Sequence, residues 1–153
     1  MNKTNVMRIL DKKNIKYEEY IYDGEFTNGT NMAFKLNENP KEVFKTLVTT
    51  SGKNYYVFCI PVEKELDLKK CASAVREKSI EMVHSKDLLM VAGYVHGACS
   101  PIGLKKNYLV TFDSSINNID NIYISGGKVC YQVKLKKDDL IKVINYQIKD
   151  ITR

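Results

Sequence analysis

The chain has 153 residues, of which 44% are hydrophobic and 27% charged, a composition typical of one globular domain rather than of a disordered or fibrous protein. Nothing in it approaches the roughly 18 consecutive apolar residues of a membrane-spanning helix, and the N-terminus lacks a secretory signal, so we expect a cytoplasmic protein. The net charge of +6 suits a polyanionic partner such as nucleic acid.

The four cysteines are widely spaced and lie in apolar or small-residue stretches, at Cys59, Cys71, Cys99 and Cys130. A disulfide framework would need denser cysteines and an export signal. A zinc site would need closely spaced ligands, whereas the chain has no C-x-x-C pair and two histidines, His84 and His96. The pattern predicts buried, reduced thiols, with neither a metal nor a cofactor.

Hydrophobic periodicity and turn residues divide the first half of the chain into five elements. They are a helix over residues 5–14, a strand over 17–22, a short helix that begins at Thr30 and runs through Leu36, and strands over 43–50 and 55–60. Thr4 is the expected cap of the first helix, whose apolar face is Val6, Ile9 and Leu10. The turn Ser51-Gly52-Lys53-Asn54 joins the last two strands into a hairpin.

The second half begins with a predicted helix over residues 67–77, where the i, i+3, i+4, i+7 spacing of a buried stripe falls on Leu68, Cys71, Ala72 and Val75. The further elements are a short helix capped by Ser85 through Leu89, strands over 94–98, 108–112, 121–125 and 129–135, and a closing helix over 138–148 that turns Leu140, Ile141, Ile144 and Ile148 inward. Helices and strands neither alternate regularly nor segregate. We therefore expect an α+β fold, one domain over residues 1–153, with a mixed or largely antiparallel sheet.

Common catalytic motifs do not occur: the chain has no G-x-S-x-G elbow, P-loop, G-x-G-x-x-G or H-E-x-x-H. Three other segments form an ordered set. They are Val43–Val48, in which Lys45 interrupts an apolar strand; the glycine-punctuated Gly93–Gly103, followed by Leu104-Lys105-Lys106; and Tyr123–Lys128, with Pro61-Val62 and Glu65–Lys70 between the first two. In this order and at these separations they resemble the YbaK family of aminoacyl-tRNA deacylases, which is related to the editing domain of prolyl-tRNA synthetase. The resemblance covers nearly the whole chain.

This resemblance implies a strongly curved, barrel-like sheet flanked by helices. It also implies that the protein acts in trans and hydrolyses the ester between a wrong amino acid and the terminal ribose of tRNA. Cysteine on tRNA-Pro is the first expected substrate and alanine on tRNA-Pro the second, with prolyl-tRNA synthetase as a further expected partner. Two other interpretations stay open: a non-catalytic module that binds tRNA or a synthetase, and a thiol-dependent enzyme that uses Cys99 and His96.

The match with the family assigns eight site residues. The catalytic candidates are Lys45, Gly97, Ser100 and Pro101. Lys45 would hold a fixed cation against the ester carbonyl or a phosphate, and the 97–101 loop, the family's G-x-x-x-P element, would direct N–H groups at the carbonyl as it becomes an oxyanion. The substrate-binding candidates are Tyr20, which can stack on the terminal adenine, and the opposite wall of Ser125, Gly126 and Gly127.

Two positions depart from the family pattern. Ala98-Cys99-Ser100-Pro101 stands where the family often has Gly-Ile-Ser-Pro, and we interpret Cys99 as part of the wall rather than as a nucleophile. Gln132 stands where many members carry an acidic residue, which leaves the amino-acid specificity open. The lysine pairs that could follow tRNA phosphates are Lys69 and Lys70, Lys105 and Lys106, and Lys136 and Lys137.

Overall fold

The structure is a computed structural model that describes residues 3–22 and 39–153, so the helix predicted after Thr30 lies outside the described residues. In chain order the elements are α1 (Asn5–Lys12), β1 (Tyr17–Ile21), β2 (Phe44–Thr50), β3 (Tyr55–Pro61), α2 (Leu68–Ala74), β4 (Glu81–Met82), α3 (Ser85–Ala92), β5 (Leu109–Asp113), a 3₁₀ helix (Ser114–Asn118), β6 (Asn121–Ser125), β7 (Tyr131–Lys136), a second 3₁₀ helix (Lys137–Lys142) and β8 (Tyr146–Lys149). None of these helices is long and apolar enough to cross a bilayer.

In the part of the chain that the structure describes, the strands form two sheets that meet at one bridge. The five-stranded sheet has the order β4–β2–β3–β5–β8, and β5 runs parallel to both β3 and β8. The three-stranded sheet has the order β1–β7–β6 and is antiparallel. A parallel bridge between Val43 and Tyr123 connects the start of β2 to β6. The predicted α+β class with a mixed sheet is confirmed, but the described strands do not close, so the barrel-like detail is corrected.

The main core contains side chains of both sheets, α1 and α3. Its members from the three-stranded sheet are Ile122, Ile124, Val133 and Leu135. A second cluster covers the other face of the five-stranded sheet, where α2 contributes Cys71 and Ala72 against Phe58 and Ile60 of β3. Because side chains alternate along a strand, β2 sends Phe44 and Val48 into the main core and its odd-numbered residues toward the α2 side.

Two local predictions from the N-terminal half are confirmed. The Thr4 side chain caps α1, since its Oγ1 accepts a hydrogen bond from the Met7 N–H at 3.2 Å. The β2–β3 hairpin forms around the predicted turn, which places Gly52 at φ +92°. The Ser51 Oγ accepts from the Asn54 N–H at 2.9 Å, which fixes this turn.

The two middle helices differ from their predicted bounds and faces. The helix α2 ends at Ala74, and Arg76, two residues later, has a left-handed φ of +60° that does not continue a helix. Of the predicted buried stripe, Val75 is only half-buried and Leu68 is 37% exposed. The predicted cap Ser85 is instead the first residue of α3. The N-cap is His84, which makes no side-chain capping bond.

Two predicted elements are wrong. Residues 94–98 are not a strand, because the left-handed Gly93 (φ +84°) ends α3 and the chain turns again at Gly97 (φ +87°). The predicted helix over 138–148 is a 3₁₀ helix followed by β8, which pairs with β5. Of the four apolar residues predicted to point inward, Leu140 and Ile144 are buried, whereas Ile141 and Ile148 are exposed.

The four cysteines, all within the described residues, form no disulfide, so the prediction of reduced thiols is confirmed. Cys59, Cys71 and Cys99 are buried, but Cys130 is only partly buried, so the prediction of burial is wrong for this residue. Cys130 lies in the turn before β7, where its φ is +66°.

Candidate functional site

Three polar side chains form a row across the three-stranded sheet. Tyr20 of β1 lies directly opposite Gln132 of β7, which lies directly opposite Ser125 of β6. Directly opposed residues share one face of a sheet, so the three side chains project to the same side, away from the main core. Gln132 is only 7% exposed, and its Oε1 accepts a hydrogen bond from the Tyr22 hydroxyl at 3.1 Å.

An aromatic pair stands at one end of this row. The ring centroids of Tyr20 and Tyr123 lie 5.6 Å apart at a tilt of 48°. The Tyr20 hydroxyl donates to Glu18 Oε2 at 2.7 Å, and this hydrogen bond, together with burial, raises the pKa of Tyr20. The ammonium of Lys134 lies 5.5 Å from the centre of the Tyr123 ring. The pair offers an aromatic surface on which a nucleobase can stack.

Lys45 reaches this region through the bridge between the two sheets. Val43, at the bridge, packs with Tyr20 and Tyr123, and Lys45 follows two residues later on the same face of β2. The side chain of Lys45 is half-buried. Burial lowers the pKa of Lys45, and the nearby carboxylate of Glu65 acts in the opposite direction. A partly desolvated cation therefore lies on the same face as Val43, the residue that packs with the aromatic pair.

The loop of residues 97–101 is attached to the row through Ser125. The Ser125 hydroxyl donates to the Ala98 carbonyl at 2.7 Å and accepts from the Gly127 N–H at 3.1 Å. Gly97, with φ +87°, occupies a conformation that favours glycine, and the turn is closed by a 3.0 Å bond from the Ala98 N–H to the Val95 carbonyl. The single hydroxyl of Ser125 thus joins the loop to the sheet.

This loop also presents unused backbone donors. Within residues 3–22 and 39–153, the N–H groups of Gly97, Cys99 and Ser100 have no hydrogen-bond acceptor. Pro101 has no N–H and a fixed φ, and it restricts the backbone of Ser100 before it. Closely spaced N–H groups can bind an anion, and can stabilise an oxyanion, when they point to a common position.

The comparisons with known proteins identify the family. The family described as the aminoacyl-tRNA editing domain matches residues 27–143. The chain belongs to the aminoacyl-tRNA editing domain family. An Enterococcus faecalis protein provisionally named Cys-tRNA(Pro)/Cys-tRNA(Cys) deacylase EbsC is 36% identical over 153 residues, which cover 98% of this chain and 93% of that protein.

Two further comparisons concern a proline–tRNA ligase and a solved structure. A proline–tRNA ligase of Fervidobacterium nodosum is 23% identical over 77% of this chain, which spans only 20% of the ligase. A solved structure described, also provisionally, as a trans-editing enzyme for prolyl tRNA synthetase superposes with a TM-score of 0.84 and 16% identity over 99% of both chains. At this identity the superposition shows the fold alone.

Ser100 and Cys99, two loop residues of this editing domain, lie in environments that do not suit a nucleophile. Ser100 is fully buried, and its Oγ accepts a hydrogen bond from the Ile102 N–H at 3.3 Å. Burial raises the pKa of the Cys99 thiol to about 12, so the thiol is protonated near neutral pH. His96 is exposed, and the structure gives it no hydrogen bond to Cys99. The thiol-dependent interpretation therefore lacks the activated thiolate that it requires.

The two glycines after Ser125 pack the turn of the editing domain against its neighbours. A Cβ on Gly127, whose φ is +98°, would lie 3.1 Å from Val6 Cγ2. A Cβ on Gly126 would lie 3.3 Å from the Cβ of Tyr131. Close packing of the turn therefore explains why glycine occupies both positions. The two glycines lie next to the Ser125 hydroxyl, but they have no side-chain functional group.

Sequence reasoning missed Tyr22 and Tyr123 as parts of this region. Tyr123 could have been found, because it lies two residues before Ser125 on a predicted strand and therefore shares its face. The contact of Tyr22 with Gln132 joins residues 110 positions apart, and no local pattern predicts it. Among the described residues, no group of three or more His, Cys, Asp or Glu side chains could hold a metal ion.

Proposed function

We propose that residues 1–153 form a single editing domain that acts in trans in the cytoplasm and hydrolyses mischarged aminoacyl-tRNA, with cysteine on tRNA-Pro as the main substrate. The observation that carries the proposal is the junction at Ser125, where one hydroxyl joins the Tyr20–Gln132–Ser125 row to the 97–101 loop. The name of the 36% identical relative supports the choice of cysteine and of tRNA-Pro. Membership of the editing-domain family supports the hydrolysis of an aminoacyl ester.

Each part of the site has a role in this reaction. The terminal adenine stacks on Tyr20, which places the aminoacyl ester between Lys45 and the 97–101 loop. As the carbonyl is attacked, its oxygen gains negative charge, which the N–H groups of the loop and the Lys45 ammonium stabilise. Ser125 acts as a positioning residue, because its bond to the Ala98 carbonyl fixes the loop relative to the sheet.

The nucleophile in this proposal belongs to the substrate. The sulfur of the cysteinyl group attacks its own carbonyl carbon and forms a thiolactone, while the carbon–oxygen bond to the ribose breaks and the thiol proton passes to the departing ribose oxygen. Water then opens the thiolactone to free cysteine, which completes the hydrolysis. The burial of Ser100 and the protonated state of Cys99 support this route, since neither side chain is prepared to attack. The enzyme then acts by positioning and by charge stabilisation.

Alanine on tRNA-Pro is the second candidate substrate. Gln132 favours this substrate, because its side chain is buried, neutral and held in the row by the Tyr22 hydroxyl. In that position it can restrict the space for the amino-acid side chain to a small pocket. In that reaction water or the ribose hydroxyl attacks. We expect Gln132→Ala to enlarge the pocket and to reduce discrimination against a larger amino acid such as valine by about tenfold, the effect of one or two methylene groups.

A deacylation panel tests the proposal. Wild-type protein is incubated with tRNA-Pro that carries cysteine, alanine, serine, proline or 2-aminobutyrate, and the remaining ester is measured over time. We expect cysteine to be released far faster than serine or 2-aminobutyrate, which match its size but lack the thiol. Comparable rates for these three amino acids would contradict the substrate-thiol route, and alanine released fastest would favour the second candidate.

The proposed partners are tRNA-Pro and prolyl-tRNA synthetase. The proline–tRNA ligases that share this domain support the connection with the synthetase. The net charge of +6 supports binding to tRNA mainly through phosphates, with little base recognition by the protein alone. Strong preference of the isolated protein for tRNA-Pro over other tRNAs would contradict this last expectation.

A further inference from the structure

A basic groove lies outside the candidate site, between one side of α2 and the end of β8. It has a volume of about 540 Å³. Its charged lining residues are Lys69, Lys70, Arg76, Lys149 and Asp150. We call this surface the α2–β8 groove.

Within the described residues, most of the positive charge of the α2–β8 groove has no paired carboxylate. The one carboxylate among the described lining residues, Asp150, pairs with Lys70 Nζ at 3.2 Å, and the same ammonium donates to the Thr152 carbonyl at 2.9 Å. Lys69, Arg76 and Lys149 form no ion pair with any carboxylate in the described ranges 3–22 and 39–153. Three cations therefore remain for a ligand, and their charge is complementary to a polyanion.

The groove is also preformed. The Gln147 amide donates to the Ala74 carbonyl at 3.2 Å and to Thr111 Oγ1 at 2.9 Å, which ties β8 to the end of α2. The N–H of Asp67, the N-cap of α2, donates to the Ile151 carbonyl at 2.9 Å. A ligand that enters a rigid groove loses less free energy to ordering the protein.

The α2–β8 groove lies on the same face of the five-stranded sheet as Lys45. Ile60 is directly opposite Lys45 in the β2–β3 pair and belongs to the same buried cluster as Cys71 and Ala72 of α2. By contrast, α1 packs into the main core on the other face. A single nucleic acid can therefore have its end at Lys45 and its backbone on α2.

We propose that the α2–β8 groove binds the phosphate backbone of the tRNA whose aminoacyl end lies at Lys45. This inference rests on the proposed function. It assigns phosphate contacts to Lys69, Arg76 and Lys149. It assigns no phosphate contact to Lys70, which the sequence pairs with Lys69, because the Lys70 ammonium already contacts Asp150 and the Thr152 carbonyl.

The test compares two triple variants with the same change of charge. The groove variant is Lys69→Gln/Arg76→Gln/Lys149→Gln, and the control variant is Lys12→Gln/Lys13→Gln/Lys16→Gln, whose lysines are exposed at the end of α1 and before β1. Binding of uncharged tRNA-Pro is titrated from 50 to 200 mM salt. For the groove variant we expect at least a tenfold loss of affinity at the lowest salt and a salt slope smaller by about 2, since each phosphate contact contributes roughly 0.7–0.9.

Kinetics give a second measurement. The groove variant should raise KM for cysteinyl-tRNA-Pro and leave kcat unchanged, and it should hydrolyse a cysteinyl ester of adenosine, which has no RNA backbone, at the wild-type rate. Equal losses in the groove and control variants, or none in the groove variant, would overturn the proposal. The proposal would also be overturned, in favour of a protein partner, if the groove variant kept its affinity for tRNA and lost binding to an acidic protein.

The binding titration keeps this inference separate from the proposed function. Because its probe is uncharged tRNA, the titration does not require hydrolysis. Groove-dependent binding by a wild-type protein that hydrolyses none of the panel esters would contradict the deacylase proposal and leave the groove assignment standing.

Discussion

Replacement of Lys45 by methionine removes the cation of the candidate site and keeps an unbranched side chain of similar volume. Lys45 is half-buried on β2, two residues after Val43, which packs with the aromatic pair. Two unit charges about 4 Å apart attract by about 1 kcal/mol in water and by about 4 kcal/mol at the effective dielectric constant of a protein surface. A half-buried ammonium lies between these limits, at about 2–3 kcal/mol, which corresponds to a rate loss of roughly 30- to 160-fold.

The assay is single-turnover hydrolysis of cysteinyl-tRNA-Pro by wild type, Lys45→Met and a control variant. Lys64→Met is a suitable control, because Lys64 is also partly exposed and lies in the turn after β3. We expect the control to keep the wild-type rate and Lys45→Met to lose at least tenfold, while circular dichroism shows both to be folded. A folded Lys45→Met variant within about threefold of wild type would refute the role of this cation.

Three further predictions concern other residues. Ser125→Ala removes the hydrogen bond to the Ala98 carbonyl, and we expect kcat to fall roughly tenfold to a hundredfold with KM little changed. A rise of KM as large as the fall of kcat would contradict a positioning role. Cys99→Ala should keep at least half of the wild-type rate, because the buried thiol with a pKa of about 12 is no nucleophile; a tenfold loss would restore the thiol-dependent interpretation. Asp113→Ala should lower the free energy of unfolding in urea by about 3 kcal/mol, because the buried carboxylate accepts bonds from Ser115 and Ile151, and an unchanged midpoint would contradict this.

The sequence predicted the elements whose signals are local. The cap at Thr4, the hairpin turn at residues 51–54 and the strand over residues 121–125 all depend on a few neighbouring residues, and all three are present in the structure. The closing helix failed because the spacing of Leu140 and Ile144 fits a helix as well as a buried turn. The pairing of β8 with β5, more than 30 residues earlier in the chain, selects the buried turn over the helix. No local pattern predicts that pairing.

The strand predicted over residues 94–98 failed for a related reason. Tyr94 and Val95 have strand propensity, but the backbone is set by Gly93 and Gly97, both with positive φ. The family resemblance selected residues for the site, yet it did not predict their arrangement. The register that aligns Tyr20, Gln132 and Ser125 comes from strands at opposite ends of the chain, and only the folded sheet defines it.

The proposed function is tested most directly by the single-turnover rate of the wild-type protein on cysteinyl-tRNA-Pro, measured beside prolyl-tRNA-Pro and beside spontaneous hydrolysis of both esters. We expect the cysteinyl ester to be cleaved at least about a hundredfold faster than it decays in buffer, while the correctly charged prolyl ester is spared. Cleavage of neither ester above its spontaneous rate, or equal cleavage of both, would contradict the proposal that this editing domain removes cysteine from tRNA-Pro.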